Sequence, residues 1–352
     1  MVGVSPCKEF STTCLRIDPR RYTARRILKE YKGLDDDPQI TRDDVLEAAD
    51  RIKGQVERTP LIKTRIRGQD LWLKCESQQT GGSFKLRGAT NRLMHLDPEQ
   101  RARGVVAFSS GNHAQGVAIA ARRLGIAATI VMPADAPALK VQGTRDNGAN
   151  VIFYDRLRES REEIAAQLAA EKGATVVPSF DDPFIIAGQG TVGVEIGEQL
   201  REFAEDGPGQ ILVNCGGGGL SAGVALACPA ARIIPVEPEG WDDMRRSLES
   251  GAIVPVEPNA RATLCDALQT RRVSPMTFAI LKSREAHGLA VSEAEVRDAV
   301  RWAWQEHRLV VEPGGAAALA AVLAQKADIV PETVVILSGG NIDPALHAEI
   351  VG

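Results

Sequence analysis

Aromatic residues are scarce in this 352-residue sequence, in which Phe, Trp and Tyr together make up 4%. That scarcity argues against a surface that binds nucleic acid by stacking its bases. The formal net charge of −4 gives no general attraction to nucleic acid or to anionic membranes. No apolar run approaches the roughly 18 residues of a membrane span, and no signal peptide is evident. We therefore expect a cytoplasmic protein with no nucleic-acid or membrane partner.

Cysteine pairs are missing as well. The six cysteines are scattered, and no two of them stand at a Cys-x-x-Cys spacing. Such a pattern indicates neither a zinc site nor a disulfide framework. The hydrophobic fraction of 44% is ample for a core. A chain of this length predicts two globular units, or one α/β body divided by a cleft.

Order is expected to begin near Thr41, which can cap a helix. Residues 1–38 lack apolar periodicity and are expected to form a poorly ordered extension. From residue 105 onward, strands are predicted over 105–108, 128–132, 151–154, 211–214, 233–236 and 334–337. Helices are predicted over 114–124, 139–147, 158–172, 188–204, 292–307 and 314–326. This alternation predicts an α/β fold with parallel sheets, in which ligands bind at the carboxyl ends of strands.

The stretch at residues 80–89, TGGSFKLRGA, centres on a lysine. Ser83 follows two glycines and is a good helix N-cap, which places Lys85 in the first turn. A positive charge there works against the helix dipole. A lysine in such a place either extends to solvent or serves chemistry, because a desolvated lysine loses its proton easily and becomes a nucleophile.

Three further loops follow strands at the same edge of the predicted sheets. Residues 109–116, SSGNHAQG, open a helix whose N–H groups suit a substrate carboxylate. Residues 215–221, CGGGGLS, hold four consecutive glycines between a strand and a helix. A nest of unhindered N–H groups around a phosphate is the usual reason for such a run. In residues 337–343, LSGGNID, Ser338 offers a neutral hydroxyl to a cofactor.

A cluster of carboxylates follows another strand, at residues 236–243, VEPEGWDD. Glu237, Asp243 and a backbone carbonyl between them suit a hard cation such as Mg²⁺ or Ca²⁺. Loop carboxylates that are simply solvated explain the same residues equally well.

Together these segments resemble the fold-type II family of pyridoxal-phosphate enzymes, in its serine/threonine dehydratase and serine racemase branch. The similarity rests on GSFKLRGA at 82–89, SGNHAQG at 110–116, AGQGT at 187–191, the tetraglycine, VEP at 236–238 and 311–313, and SGGN at 338–341. It implies two doubly wound α/β domains with parallel-rich sheets, as in the tryptophan synthase β chain. The large, cofactor-binding domain would comprise residues 39–103 and 182–352, and the small, mobile domain residues 104–181. No C-terminal regulatory domain is expected.

The resemblance also implies how the cofactor, pyridoxal 5′-phosphate, is held. Lys85 would carry it covalently, and Phe84 would lie beside its ring. Asn112 would meet its phenolic oxygen, and Ser338 would face its pyridine nitrogen. The phosphate would rest on Gly216, Gly217, Gly218 and Gly219.

Further residues are implied to act on the substrate or on a metal. Ser110 would be a second acid/base, opposite Lys85 across the cofactor plane. The substrate-binding loop would comprise Ser109, Ser110, Gly111, Asn112 and His113. Glu237, the Trp241 carbonyl and Asp243 match the metal positions of racemase-like members.

The activity implied is β-elimination from a hydroxy amino acid such as L-threonine or L-serine, which yields a 2-oxo acid and ammonia. Serine racemase and threo-3-hydroxyaspartate dehydratase are the alternatives. The basic segment at residues 154–161, YDRLRESR, looks closer to the 3-hydroxyaspartate dehydratases. A homodimer is the family expectation.

Two other classes of protein account for only part of these motifs. A nucleotide-binding module could hold ATP or NAD on the tetraglycine, but it lacks the acidic ribose partner and leaves Lys85 unexplained. A catalytically silent ligand-binding relative is disfavoured, because none of the expected catalytic positions is substituted.

Overall fold

The computed structural model describes residues 40–136, 138–203 and 207–352. The extension predicted at residues 1–38 therefore lies outside the described residues. The strands described are β1 Leu61–Ile66, β2 Gln69–Lys74, β3 Val105–Phe108, β4 Ala128–Pro133, β5 Asn150–Tyr154, β6 Thr175–Val176, β7 Gln210–Asn214, β8 Arg232–Pro238, β9 Leu289–Val291 and β10 Thr333–Ile336. The helices described are α1 Arg42–Ile52, α2 Lys85–Met94, α3 Pro98–Arg103, α4 Asn112–Leu124, α5 Ala138–Asp146, α6 Arg161–Lys172, α7 Pro183–Leu200, α8 Gly219–Ala227, α9 Asp243–Ser250, α10 Pro275–Ser283, α11 Glu293–His307, α12 Pro313–Leu323 and α13 Pro344–Val351.

The larger sheet has six strands in the order β1-β2-β10-β7-β8-β9. β1 and β2 form an antiparallel hairpin in which Leu61 stands opposite Lys74, and the other neighbours in this sheet are parallel. Apolar residues of α11 and α12 pack on one face of the sheet. Those of α1, α7 and α8 pack on the other. Parallel strands covered on both faces are buried along their whole length, as β7 and β10 are, and most of their residues are apolar.

The smaller sheet has four parallel strands in the order β5-β4-β3-β6. All four lie within residues 104–181, the segment expected to form the small domain. One face packs against α4 and against Leu86, Ala89 and Leu93 of α2, and the other packs against α6. The mobility expected of this segment stays a prediction.

Helix starts differ most from the prediction. α7 begins at Pro183, five residues before the predicted start at 188, because the Asp182 carboxylate accepts the N–H of Ile185 and caps the helix. α6 begins at Arg161 rather than at 158, because Ser160 accepts the N–H of Glu163. A cap sets a boundary that apolar periodicity cannot locate. Among the described helices, none is both long enough and apolar enough to cross a membrane.

Candidate active site

Lys85 is the first residue of α2, and its side chain is partly buried. Its Nζ donates a hydrogen bond of 2.9 Å to the backbone carbonyl of Ser179 and lies 4.9 Å from the centre of the Phe84 ring. Burial lowers the pKa of this amine to about 8, because the charged form loses part of its hydration. Near neutral pH such an amine exists partly in its neutral form, which a nucleophile or a general base requires.

Ser83 does not cap α2, so that prediction is wrong. The residue before the helix is Phe84, which makes no side-chain capping hydrogen bond, and Ser83 instead pairs with Gly339 in an antiparallel bridge. Gly81 and Gly82 lead into this bridge with positive φ angles of 78° and 71°, which favour glycine. The bridge ties the start of α2 to the segment that follows β10.

Ser338 lies in that segment, two residues after β10, and its side chain is buried. Its carbonyl accepts a hydrogen bond of 3.2 Å from the N–H of Phe84. Its own N–H donates to the carbonyl of Gly315 at 3.3 Å. The structure therefore brings Ser338 beside the residue that precedes Lys85.

The loop after β3 carries the two serines of the predicted substrate site. The Oγ of Ser109 accepts a hydrogen bond of 3.2 Å from the N–H of Gly111. Ser110 is partly exposed, and no hydrogen bond joins its hydroxyl to another described residue. The Ser110 hydroxyl is therefore available to a ligand, whereas that of Ser109 helps to shape the loop.

His113 is buried in the first turn of α4. Its Nε2 lies 2.9 Å from the carbonyl oxygen of Val177. Because a carbonyl can only accept a hydrogen bond, the proton of the neutral ring is on Nε2. The other nitrogen, Nδ1, is buried without a partner among the described residues. Burial, and then the charge of Lys85, lowers the pKa of His113 to about 3. A neutral imidazole thus connects the substrate loop with the segment that holds Lys85.

Asn112 is held on both sides of its amide. Its Oδ1 accepts a hydrogen bond of 2.7 Å from Nδ2 of Asn341, and its Nδ2 donates to Oε1 of Glu312 at 2.5 Å. The Nδ2 of Asn341 also donates to the Gly81 carbonyl at 2.8 Å. Because a carbonyl can only accept, this last bond fixes the orientation of both amides. One N–H of Asn112 is taken by no other described residue.

The tetraglycine, Gly216 to Gly219, connects β7 to α8 in a buried turn, not as a flexible linker. Gly218 has a φ of 87°. A Cβ at Gly217 would stand 2.4 Å from the Phe180 ring, and a Cβ at Gly219 would stand 2.5 Å from Oε1 of Gln189. Side chains are therefore excluded from this turn. The first N–H groups of α8 have no intrahelical partner and are suited to an anion.

Ser179 and Phe180 join these loops into one site. The Ser179 carbonyl accepts hydrogen bonds from Lys85 and from Nε2 of Gln189, the latter at 3.1 Å. The next residue, Phe180, lies against Gly217. The site therefore lies where the carboxyl ends of β3, β7 and β10 meet, as the alternation of strands and helices predicts.

Comparison with known protein families identifies the chain. A family model described as pyridoxal-phosphate dependent enzyme matches residues 52–340. The chain belongs to this family. The predicted resemblance and the predicted α/β fold class are both confirmed.

Individual relatives of this pyridoxal-phosphate-dependent enzyme carry related names. An L-threo-3-hydroxyaspartate ammonia-lyase from Pseudomonas sp is 44% identical over 318 residues, which cover 88% of this chain and 97% of the relative. The Saccharomyces cerevisiae protein of the same name is 41% identical, with 88% and 96% covered. The solved structure of maize serine racemase is 36% identical with a TM-score of 0.82, and the match covers 88% of this chain and 96% of that one. These names support a lyase and leave its substrate open.

The site fits pyridoxal phosphate, the cofactor that the family implies. A protein that carries this cofactor needs an amine for attachment, an anion site for the phosphate and polar groups around the ring. Lys85 supplies the amine, and the tetraglycine supplies backbone N–H groups in a turn that excludes side chains. Asn112 retains one N–H for a ring substituent, and the Ser338 hydroxyl lies nearby.

At the predicted metal position the carboxylates of Glu237 and Asp243 are both buried, and the two oxygens of Asp243 have no hydrogen-bond partner among the described residues. Glu237 is buried at the end of β8, and its two oxygens accept the N–H groups of Met244 and Arg245 at 2.9 and 2.8 Å. Burial raises the pKa of Glu237 well above its usual range and that of Asp243 to about 7. No group of three or more His, Cys, Asp and Glu side chains within the described ranges is placed to hold a metal ion.

Three residues of the site were not predicted. Ser179 acts through its backbone carbonyl, which any residue type could provide, so the sequence carries no signal for it. Gln189 and Glu312 lie within the motifs AGQGT and VEP, but their roles depend on partners about 10 and 200 positions away along the chain. The motifs mark them as special, and only the fold shows what they contact.

Proposed function

We propose that the chain is a pyridoxal-phosphate-dependent ammonia-lyase that acts on a β-hydroxy amino acid, with L-threo-3-hydroxyaspartate as its preferred substrate. The observation that carries the proposal is the partly buried Lys85 amine, which the Ser179 carbonyl holds where the substrate loop and the tetraglycine meet. L-Threonine and L-serine, expected first from the sequence, become secondary substrates. The resemblance of the basic segment at 154–161 and the names of two relatives support this order.

The cofactor contacts follow from the positions of the side chains. The N–H groups of Gly216 to Gly219 and the start of α8 would hold the phosphate, and Lys85 would carry the ring. Asn112 would donate its remaining N–H to the phenolic oxygen, and Ser338 would face the pyridine nitrogen. When bound, pyridoxal phosphate withdraws electrons from the Cα of the amino acid.

Lys85 would then serve as the general base that removes the Cα proton. Its pKa of about 8 allows it to accept a proton and to give it up again within the neutral range. The N–H groups at the start of α4 and the Ser110 hydroxyl would bind the substrate α-carboxylate. Loss of the β-hydroxyl as water leaves an enamine, whose hydrolysis gives ammonia and a 2-oxo acid. For 3-hydroxyaspartate that acid is oxaloacetate.

The second carboxylate of hydroxyaspartate has a cationic partner near this loop. Arg161 begins α6, and its guanidinium lies 5.5 Å from the centre of the Phe108 ring. Phe108 is the residue before Ser109. The Nε of Arg161 contacts Glu162 at 2.9 Å, which leaves the other N–H groups of the guanidinium for a carboxylate. The methyl group of threonine or the hydrogen of serine would offer Arg161 nothing to bind.

A panel assay of 2-oxo acid release tests the proposal. The substrates are 3-hydroxyaspartate in its threo and erythro forms, threonine and serine, each as both enantiomers. We expect kcat/KM for L-threo-3-hydroxyaspartate to exceed that for L-threonine and L-serine by about 10-fold or more, since a charge-assisted hydrogen bond contributes roughly 1.5–3 kcal/mol. Equal or lower kcat/KM for hydroxyaspartate would contradict the substrate assignment, and no 2-oxo acid from any substrate would contradict the lyase assignment.

A variant pair links the preference to Arg161. Arg161→Gln should abolish the advantage of hydroxyaspartate and leave turnover of L-serine nearly unchanged. Arg158→Gln is the matched control, because Arg158 lies in the same basic segment with its side chain 84% exposed and paired with Asp155. Retention of the hydroxyaspartate preference in Arg161→Gln would remove Arg161 from the substrate site.

Racemisation is the second candidate. The observation that favours it is the Ser110 hydroxyl, which has no partner among the described residues and lies in the loop that faces Lys85. Elimination needs only a base that removes the Cα proton. Inversion at Cα also needs a proton donor on the opposite side of that carbon.

A further inference from the structure

Four charged side chains form a buried network beneath the lysine helix α2. The cations are Arg87 and Lys74, with side-chain exposures of 1% and 0%, and the anions are Glu76 and Glu195, with 0% and 14%. Two positive and two negative charges leave the network neutral. Charges this deeply buried are rare unless they are paired, and the proposed chemistry uses none of them.

Arg87 is the centre of this network. Its Nε and Nη2 donate to the two oxygens of Glu76, both at 2.8 Å. Its Nη1 and Nη2 donate to the two oxygens of Glu195 at 2.7 and 2.9 Å. Burial alone would raise the pKa of Glu76, but the Arg87 guanidinium holds that pKa below its usual range. Two bidentate pairs fix a planar guanidinium in position and in orientation.

Lys74, the last residue of β2, joins the network from the larger sheet. Its Nζ donates to Glu195 at 2.6 Å, to the Thr59 carbonyl at 2.8 Å and to Gln199 at 2.9 Å. All three of its N–H groups are therefore used. Glu195 lies on α7, so the network connects α2 through Arg87 to both the larger sheet and α7.

The helix α2 needs such a connection because glycines line its contacts with neighbouring helices. A Cβ at Gly88 would stand 2.9 Å from the Ile185 carbonyl of α7, and a Cβ at Gly188 would stand 2.8 Å from the Arg87 carbonyl. On the side of α4, a Cβ at Gly116 would stand 3.0 Å from the carbonyl carbon of Lys85. Along these contacts the helices approach closely with few side chains to interlock. The bonds from Arg87 to Glu76 and Glu195 add directional constraints on the position and rotation of α2.

We propose that Arg87 is a positioning residue for Lys85, and that its two bidentate carboxylate pairs set where the lysine amine stands in the active site. The two residues are separated by about 200° around the helix axis, since each residue of an α-helix advances about 100°. Arg87 therefore binds the network on one side of α2 while Lys85 reaches the Ser179 carbonyl on the other. The inference rests on the proposed function only in taking Lys85 as the reacting amine.

The test compares Arg87→Lys with the control Arg92→Lys. Arg87→Lys keeps the charge but loses the planar fork, so a change reports geometry and not net charge. Arg92 lies on the same helix and pairs with Asp182, at the start of α7, at 2.9 Å.

The first measurement is the pH dependence of reductive methylation of Lys85 in the cofactor-free full chain, by peptide mass spectrometry. The second is the steady-state kinetics of the cofactor-loaded enzyme.

We expect wild type and Arg92→Lys to show a Lys85 pKa of about 8, and Arg87→Lys to show one shifted toward the ordinary value of 10.5. We expect Arg87→Lys to lower kcat about 10- to 100-fold with little change in KM, because a misplacement of about 1 Å costs roughly that much. A wild-type labelling profile in Arg87→Lys, or kinetic losses equal in the two variants, would overturn the proposal.

A second variant covers the case in which Arg87→Lys does not fold. Glu195→Gln alters the partner that Arg87 and Lys74 share, one helix away from Lys85, and it should shift the same two measurements in the same direction. Unchanged labelling and kinetics in a folded Glu195→Gln would overturn the proposal as well. The labelling of Lys85 requires no substrate. If the enzyme released no 2-oxo acid from any amino acid of the substrate panel, the proposed function would be contradicted, but the labelling would still show whether Arg87 positions Lys85.

Discussion

Asn112 and Glu312 stand 200 residues apart in the sequence, and their side chains are joined by a hydrogen bond of 2.5 Å. Asn112 begins α4, directly after the loop that follows β3 of the smaller sheet, and Glu312 is the residue before α12 on the larger sheet. The bond therefore spans the two sheets at the site. It also orients the amide that would contact the cofactor ring.

Glu312 should make the stability of the cofactor-free protein depend on pH. Burial raises the pKa of Glu312 to about 7 from an ordinary value of 4.5. The unfolded chain loses this proton at lower pH than the folded protein, so the free energy of unfolding falls as pH rises from about 4.5 to about 7. The total loss is about 3 kcal/mol.

Glu312→Gln removes that dependence and keeps an acceptor for Asn112. Thermal unfolding of both cofactor-free proteins should show that the stability of the variant relative to the wild type rises between about pH 4.5 and about pH 7. Parallel curves over this range would mean that Glu312 ionises in the folded protein as easily as in the unfolded chain.

Ser110→Ala should separate racemisation from elimination. Lys85 can remove the Cα proton of an L-amino acid from one side, and elimination needs no group on the other. Inversion needs a donor there, and general acid–base catalysis typically contributes about 10²–10⁴-fold. Racemisation and activity on D-substrates should therefore fall strongly, whereas dehydration of L-substrates should fall less. Ser109→Ala is the control for disturbance of the loop, and equal losses of both activities in Ser110→Ala would restrict Ser110 to binding.

Gly217→Ala should weaken cofactor binding, because the added Cβ would stand 2.4 Å from the Phe180 ring. We expect the Kd of pyridoxal phosphate, measured by absorbance titration, to rise about 10-fold or more, which corresponds to roughly 1.4 kcal/mol. Gly197→Ala is the control, since a Cβ there would meet no described residue within 4 Å outside the backbone of its own helix. Unchanged cofactor affinity in Gly217→Ala would show that the tetraglycine does not form the phosphate cradle.

The sequence was most informative where local pattern decides the structure. The strand predicted at 105–108 is β3 with the same bounds. The convergence of four loops also followed from pattern, because the carboxyl ends of parallel strands meet at one edge.

Prediction failed where a distant partner outweighs local preference. Ser83 has the chemistry of a cap, but its pairing with Gly339 takes the backbone out of the capping geometry. The pattern around Glu237 likewise carries no signal that its oxygens accept N–H groups from the first turn of α9. The role of Arg87 has no local signal in the sequence, because its carboxylate partners lie 11 and 108 positions away.

Peptide mapping of the cofactor linkage tests the central claim most directly. The enzyme loaded with pyridoxal phosphate is reduced with borohydride, which makes any lysine–cofactor bond permanent, and is then digested for mass spectrometry. The account predicts that the cofactor mass is found on the peptide that contains Lys85, that Lys85→Ala carries none, and that Lys63→Ala, in which an exposed lysine is removed, is labelled as the wild type is. Cofactor mass on a different lysine of the wild type, or retained by Lys85→Ala, would contradict it.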